Sequence, residues 1–418
     1  MATSIEVSNI ARLRMWSEST FASDGTGTLG NYDDVPFIEG TLTAVLGQEM
    51  PHPAHAQQHV DGWSTRIAGL KSCKLSFAMN LAPTGTASGD AVAHSQSALG
   101  RLFKAVFGGQ TLSTGDTVSA NAGASKTVFT AAGTGVVAGD VVGILRGASA
   151  AYEMREVESE AADVVTTKLE FSNAPVVSDI LYSSATHYLT QNPTESLQFI
   201  AEGLATGDRW VLLGMQLESL ALENTIGQIP RATFGFQGVS WLTGQDAAYT
   251  STSALAAASY TNVSVIHAVG ELLLQTLGTS TRPTPTKASS IAITLNLGYG
   301  KVTSPSGTQA VASWRRLRTA PVATAVITMP YAESETSNES DWLLARDAIT
   351  RKMMSLQFGN VQGKSILITL PTCVITDYQL GDAGGIRSEI VTLEAQTDGD
   401  VGSSTTDQAL SAFRIAQG

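Results

Sequence analysis

The chain has 418 residues, a formal net charge of −12, 43% hydrophobic residues and only 15% charged ones. That length holds several cores, while the acidic balance argues against grip on nucleic acid, which needs Lys and Arg to displace phosphate counterions. Two cysteines, Cys73 and Cys373, exclude a disulfide framework and a cysteine metal knuckle and point to a reducing compartment. The charge is replaced by Ser, Thr, Ala and Gly. A surface so poor in Lys and Glu fits one covered by neighbouring subunits, the plainer alternative being a Thr/Ser-rich monomeric β-protein.

The start, MATSIEVSNIARLRMW, lacks a basic region followed by an apolar run, so no signal peptide is expected. No apolar run is long enough to span a membrane. Residues 1–66 read as irregular, turn-rich pieces around a short strand-like TLTAVLG, an arm suited to lie on a neighbour. KLSFAMNL alternates with period two, as a half-buried strand does. SALGRLFKAVFGG, residues 97–109, places Leu99, Leu102, Phe103 and Phe107 on one helical face and stops at Gly108 and Gly109. Residues 110–195 carry short Val-, Thr- and Tyr-rich strands with turns at close spacing, the pattern of a small antiparallel barrel or sandwich. From Asp208 a strand, a turn at Gly227 and a second strand follow, then a Ser/Ala/Thr-rich linker over 246–262. SSIAITLNLGYG and APVATAVITMPYA read as strands, and DWLLARDAITRKMMSLQFGN as a helix over 341–358 with Asp341 as N-cap and Gly359 near its C-cap. KSILITLPTCVITDYQLGD and IRSEIVTLEAQTDGD form a second strand pair around the turn AGG.

The order repeats. In each half a strand precedes a helix expected to end in Phe-Gly (Phe107-Gly108 and Phe358-Gly359), and a strand pair follows. The spacing from Gly207 to Arg231 equals that from Gly363 to Arg387. Coincidence among hairpins is the competing explanation. The sequence therefore predicts a mainly β chain with two β-sandwich domains, each flanked by one helix. The first spans 1–109 and 196–245, interrupted by the 110–195 module; the second spans 263–418. The module is expected to project outward, and deleting 112–194 to leave assembly possible.

Chemical motifs are sparse. Gly25-Thr-Gly27-Thr-Leu-Gly30 has the letters of a dinucleotide fingerprint but no preceding strand or following helix. His52, His55 and His59 have a spacing that could reach one metal, yet two prolines mark an exposed loop. There is no GxSxG elbow, no HExxH and no Walker loop, and each cysteine lies in a strand pattern as a core thiol would. No enzyme activity, cofactor or metal is expected. Arg315, Arg316 and Arg318 form a basic cluster in WRRLR: a solvated face, or a contact to acids on a neighbouring subunit. Glu218, Glu223, Asp377, Asp382, Glu389 and Glu394 lie on or beside the core strand pairs. A solvent face explains any one of them; lining a channel is the alternative, and strand alternation would let two to four of the six point inward.

KLSFAMNL, the helix SALGRLFKAVFGG and WVLLGMQLESLALENTIGQIPRATFGFQGVSW, with their second-half counterparts, resemble the tail tube (major tail) proteins of long, non-contractile-tailed bacteriophages. The resemblance covers about two thirds of the chain and rests on element order. It implies tube-like β-sandwich domains whose subunits form stacked rings, trimeric with pseudo-sixfold symmetry or hexameric. DNA would pass through without tight binding, and other tail proteins would sit at the tube ends. The site would be the virion, after assembly in the bacterial host cytoplasm, with no membrane partner. A surface-displayed carbohydrate-binding or adhesin-like β-sandwich is the competing expectation; the six tryptophans are too scattered for an aromatic platform.

Overall fold

A computed structural model describes the chain apart from residues 1, 8–9, 19–32, 50–70, 84–90, 119–124, 132–134, 148–150, 191–195, 204–208, 244–269, 304–310, 317–322, 332–337, 398–406 and shorter interruptions. It is mainly β, and the strands pair antiparallel. Two long strands, Arg209–Thr225 and Ile366–Ala383, organise it. Each exchanges one set of partner strands for another along its length, and each carries a bulge near that exchange, between Leu217 and Ser219 in one and Ile375 and Asp377 in the other. A bulge inserts an unpaired residue and bends its strand, which lets one strand change direction where its partners change.

Beyond the bulges lies a front sheet. Thr43–Glu49 pairs with Lys71–Asn80, which pairs with Arg231–Gly238, which pairs with Arg209–Thr225. The same order recurs downstream: Ser290–Asn296, Ala323–Pro330, Ile386–Ala395 and Ile366–Ala383. The two sets join edge to edge, Ser219–Thr225 running against Ser290–Asn296. Before the bulges, the long strands enter back sheets whose order also recurs. Ile10–Glu18 and Ser196–Gly203 precede the first, Gly270–Thr276 and Lys352–Phe358 the second. Alternation explains the front strands: in Arg231–Gly238, Ala232, Phe234 and Phe236 point to the core, while Thr233, Gly235 and Gln237 face away. Phe77 stacks on Phe234 and Phe236 at centroid distances of 5.4 and 6.0 Å.

Helix Ala98–Phe107 forms where expected. Ser97 Oγ accepts a hydrogen bond from the Gly100 amide at 2.9 Å, and Gly108 closes the helix at φ 80°. The second helix is shorter than its pattern predicts. It spans Asn338–Asp347, and Lys352–Phe358 is instead a strand held between Gly270–Thr276 and Ile366–Ala383. Its residues are buried on both faces. A centrally placed strand then shows the same unbroken apolar run as a buried helix segment. The Phe-Gly likeness between the halves therefore fails: Phe107 ends a helix and Phe358 a strand. Residues 1–66, expected as irregular, contribute Ala2–Val7, Ile10–Glu18 and Thr43–Glu49.

Within 110–195 six strands form a separate sheet around Phe129, Phe171, Val142, Ile144 and Val157. The ends of the segment lie elsewhere. Gly108–Leu112 and Ala185–Leu189 pair with each other, and the latter pairs with Arg414–Gln417, which joins Ile366–Thr369. The small sheet does not project freely: it packs on the second back sheet. Leu169 meets Leu273 and Met353, and Tyr152 and Met154 meet Leu367 and Ala416. Gln357 accepts from the Met154 amide at 2.8 Å and donates to the Tyr152 carbonyl at 3.0 Å. Two ion pairs close the contact, Arg414–Glu156 at 2.6 Å and Arg155–Glu271 at 3.0 Å. Burial lowers the Arg155 pKa, against the opposing pull of Glu271 and Glu153.

Candidate functional site: a polar sheet face with open edges

The face of the front sheet turned away from the core carries the most distinctive chemistry. Register partners point to the same side, so rows can be followed from strand to strand. One row runs Ala78, Thr233, Ala221, Thr294, Thr324, Glu394. The next runs Asn80, Arg231, Glu223, Ala292, Val326, Thr392, Asp377. Both cross the junction between the two strand sets without a break, and most of their side chains are short.

The predicted acids divide. Glu223, Glu394 and Asp377 lie in these rows, and Glu218, at the bulge, is exposed with its carboxylate 3.8 Å from Lys74. Four of the six therefore share the polar face. Glu389 does not: it alternates with Ile390, sits on the core side at 3% exposure and accepts a hydrogen bond from the Tyr378 hydroxyl at 3.3 Å. Placing it with the others took the strand's acids as one set, whereas adjacent positions face opposite ways. Asp382 is at the hairpin end, where its carboxylate accepts from the Gly385 amide at 2.6 Å and caps the turn. Sequence reasoning missed Lys74 and Arg231, which share the face; Arg231 lies in register with Glu223. Counting alternate positions in KSCKLSFAMN, where Cys73, Leu75 and Phe77 point inward, would have found Lys74. Among the described side chains the face thus carries four acids and two bases, an excess of two negative charges.

Both lateral edges are open among the described residues. Ala2–Val7 pairs only with Thr43–Glu49, and beyond Cys373 the strand Ile366–Ala383 pairs only with Ile386–Ala395. Such edges present unpaired backbone donors and acceptors to another strand.

Arg315 and Arg316 lie on a two-stranded ribbon, Tyr299–Thr303 with Val311–Arg316, opposite Gly300 and Tyr299. In chain order the ribbon lies between the paired strands Ser290–Asn296 and Ala323–Pro330. Arg318, His52, His55, His59, the Gly25–Gly30 loop and the 246–262 linker lie outside the described residues. Among the described residues no cluster of three His, Cys, Asp or Glu side chains could hold a metal, and no helix is long and apolar enough to cross a membrane. Both thiols are buried and unpaired with each other, and burial pushes Cys373 up to about 12. No protein-family model and no curated protein sequence matches the chain.

Proposed function

We propose that this chain is a structural, ring-forming protein of the tail-tube type, built from two tube-like β-sandwich units with a flanking helix each and an inserted β-module. The observation that carries this is the front sheet: a four-strand order used twice, joined edge to edge within one chain, with a continuous polar face and open lateral edges, one of them on the added strand Ala2–Val7. A junction made once between the two strand sets can be made again between chains, and closing a ring removes the exposed edges. Three chains of eight repeat strands supply 24 strands. At about 4.8 Å per strand they close at roughly 37 Å across, wider once tilted. Three chains would therefore give six near-equivalent sectors, six being the alternative ring number. Stacked rings form a tube, with Glu218, Glu223, Asp377 and Glu394 on its bore. Arg315 and Arg316, on the ribbon that connects two bore strands, and Arg318, close by in sequence, are the proposed contacts between rings. The tube would belong to a phage particle and pass DNA without holding it.

Light scattering on a sizing column and negative-stain images of the purified protein test this. Rings or tubes with a central hole are expected. A monomer at every concentration and salt would overturn the proposal, and recognition of glycans by that monomer would favour the adhesin-like reading.

A further inference from the structure

The front sheet holds one strand more than its repeat requires. Eight strands use the four-strand order twice; the ninth, Ala2–Val7, lies along Thr43–Glu49. What it occupies follows from register. Leu220 and Leu222 lie opposite Phe234 and Ala232; after the matching bulge, Tyr378 and Leu380 lie opposite Val391 and Glu389. Ala44 and Leu46 face Leu75 and Cys73 as Ile293 and Leu295 face Ala325 and Ala323. At the junction within the chain, Leu220 is opposite Leu295 and Leu222 opposite Ile293. Repeating that junction between two copies puts Tyr378 of one opposite Leu46 of the next, and Leu380 opposite Ala44.

Those positions are taken within the chain, where Ile5 is opposite Leu46 and Val7 opposite Ala44. The run Ser4-Ile5-Glu6-Val7 has the same strand direction as Asp377-Tyr378-Gln379-Leu380 would have, with apolar residues at the same alternate positions. The other edge shows the complementary deficit. Leu222, covered by the internal junction, is 3% exposed, whereas its counterpart Leu380 is 44% exposed. One end of the sheet is capped by the chain's own strand, and the other lacks its cover.

We propose that Ala2–Val7 is an intramolecular stand-in for the Asp377–Leu380 strand of a second copy, and that copies join when this strand is displaced. The inference rests on the ring reading above and adds a control to it: an isolated chain blocks its own acceptor edge. Pairing competes with pairing, so the apparent affinity between copies falls by the fraction of chains whose edge is free.

The test uses the full chain with two staples, Glu6→Cys with Val45→Cys, and separately Thr3→Cys with Gln48→Cys. These are register pairs, and being three residues apart, one of them is a non-hydrogen-bonded pair with closer side chains. Assembly is followed by light scattering and electron microscopy, oxidised and reduced. The oxidised staple should abolish assembly and the reduced form restore it, while deletion of residues 2–7 should lower the concentration needed by about tenfold or more. Equal assembly of oxidised and reduced forms, with the disulfide verified by mass, overturns the stand-in and leaves the ring reading intact. If the truncated, reduced and unmodified chains all stay monomeric, the ring reading fails and the stand-in with it.

Discussion

His187 sits on Ala185–Leu189, fully buried, with the Phe103 ring edge-on at 5.7 Å and neither ring nitrogen hydrogen-bonded. Burial, helped by the positive charge of Lys104, pushes its pKa from 6.5 down to about 3. The unfolded chain therefore takes up a proton below pH 6.5 that the folded chain refuses until about pH 3. Stability falls as pH drops through that window, by roughly 1.4 kcal/mol per pH unit at most. His187→Leu should raise stability at pH 7, since it removes an unpaired buried polar group, and the gain should grow at pH 5. Urea unfolding at both pH values measures it. Arg414 and Glu156 make the opposite case, since both are fully buried and bonded to each other at 2.6 Å. Arg414→Met takes the arginine from the buried Glu156 carboxylate, which keeps Lys168 at 3.1 Å. The expected loss is about 3–5 kcal/mol. Adding Glu156→Leu should recover much of it, because an apolar pair carries no desolvation cost; a double-mutant cycle reads the coupling.

The strand Arg414–Gln417 bridges Ala185–Leu189 and Ile366–Thr369. Deleting 112–194 removes one of its two partners, so that deletion is expected to lower the thermal midpoint more than deleting 114–183, which spares it. Even the smaller deletion uncovers Leu273, Met353 and Leu367, so both products should bind a hydrophobic dye more than the whole chain does. The elements legible in the sequence were those whose fold is decided locally. Ser97 and Gly108 bracket a helix with their own capping bonds, and Arg231–Gly238 shows its two faces by alternation. Lys352–Phe358 was not legible, because it is covered by the core on one side and by the small sheet on the other. Only contacts from residues near 169 and 273 distinguish it from a helix. The N-terminal strands were missed for a related reason. Ile10–Glu18 pairs with Ser196–Gly203 across most of the first half, and no short window contains both partners. Of the candidate site, the acids were visible as residues and alternation alone separates Glu389 from Glu394, but the sides taken by Glu218 and Asp377 depended on two bulges that no local pattern marks.

At the scale of the molecule, the polar face puts short side chains and a small acidic excess on what we propose is a bore. Like charge repels phosphate, while Lys74 and Arg231 beside Glu218 and Glu223 keep that field weak. Glu223→Lys with Glu394→Lys reverses the sign of two positions in adjacent rows. Tubes of this variant should co-sediment short duplex DNA at 50 mM salt and release most of it by about 200 mM, the dependence expected when lysines displace counterions. Unmodified tubes should leave the DNA in the supernatant at both.

The two strands that change partners near bulges also have a mechanical meaning. Arg209–Thr225 and Ile366–Ala383 each pair with one set of strands before the bulge and another after it, so a load on the front strands passes to the back strands along a covalent backbone. In a single-molecule pulling experiment each half should yield in one event that releases both of its sheets together. A tube assembled from such parts would meet internal pressure with its whole wall thickness.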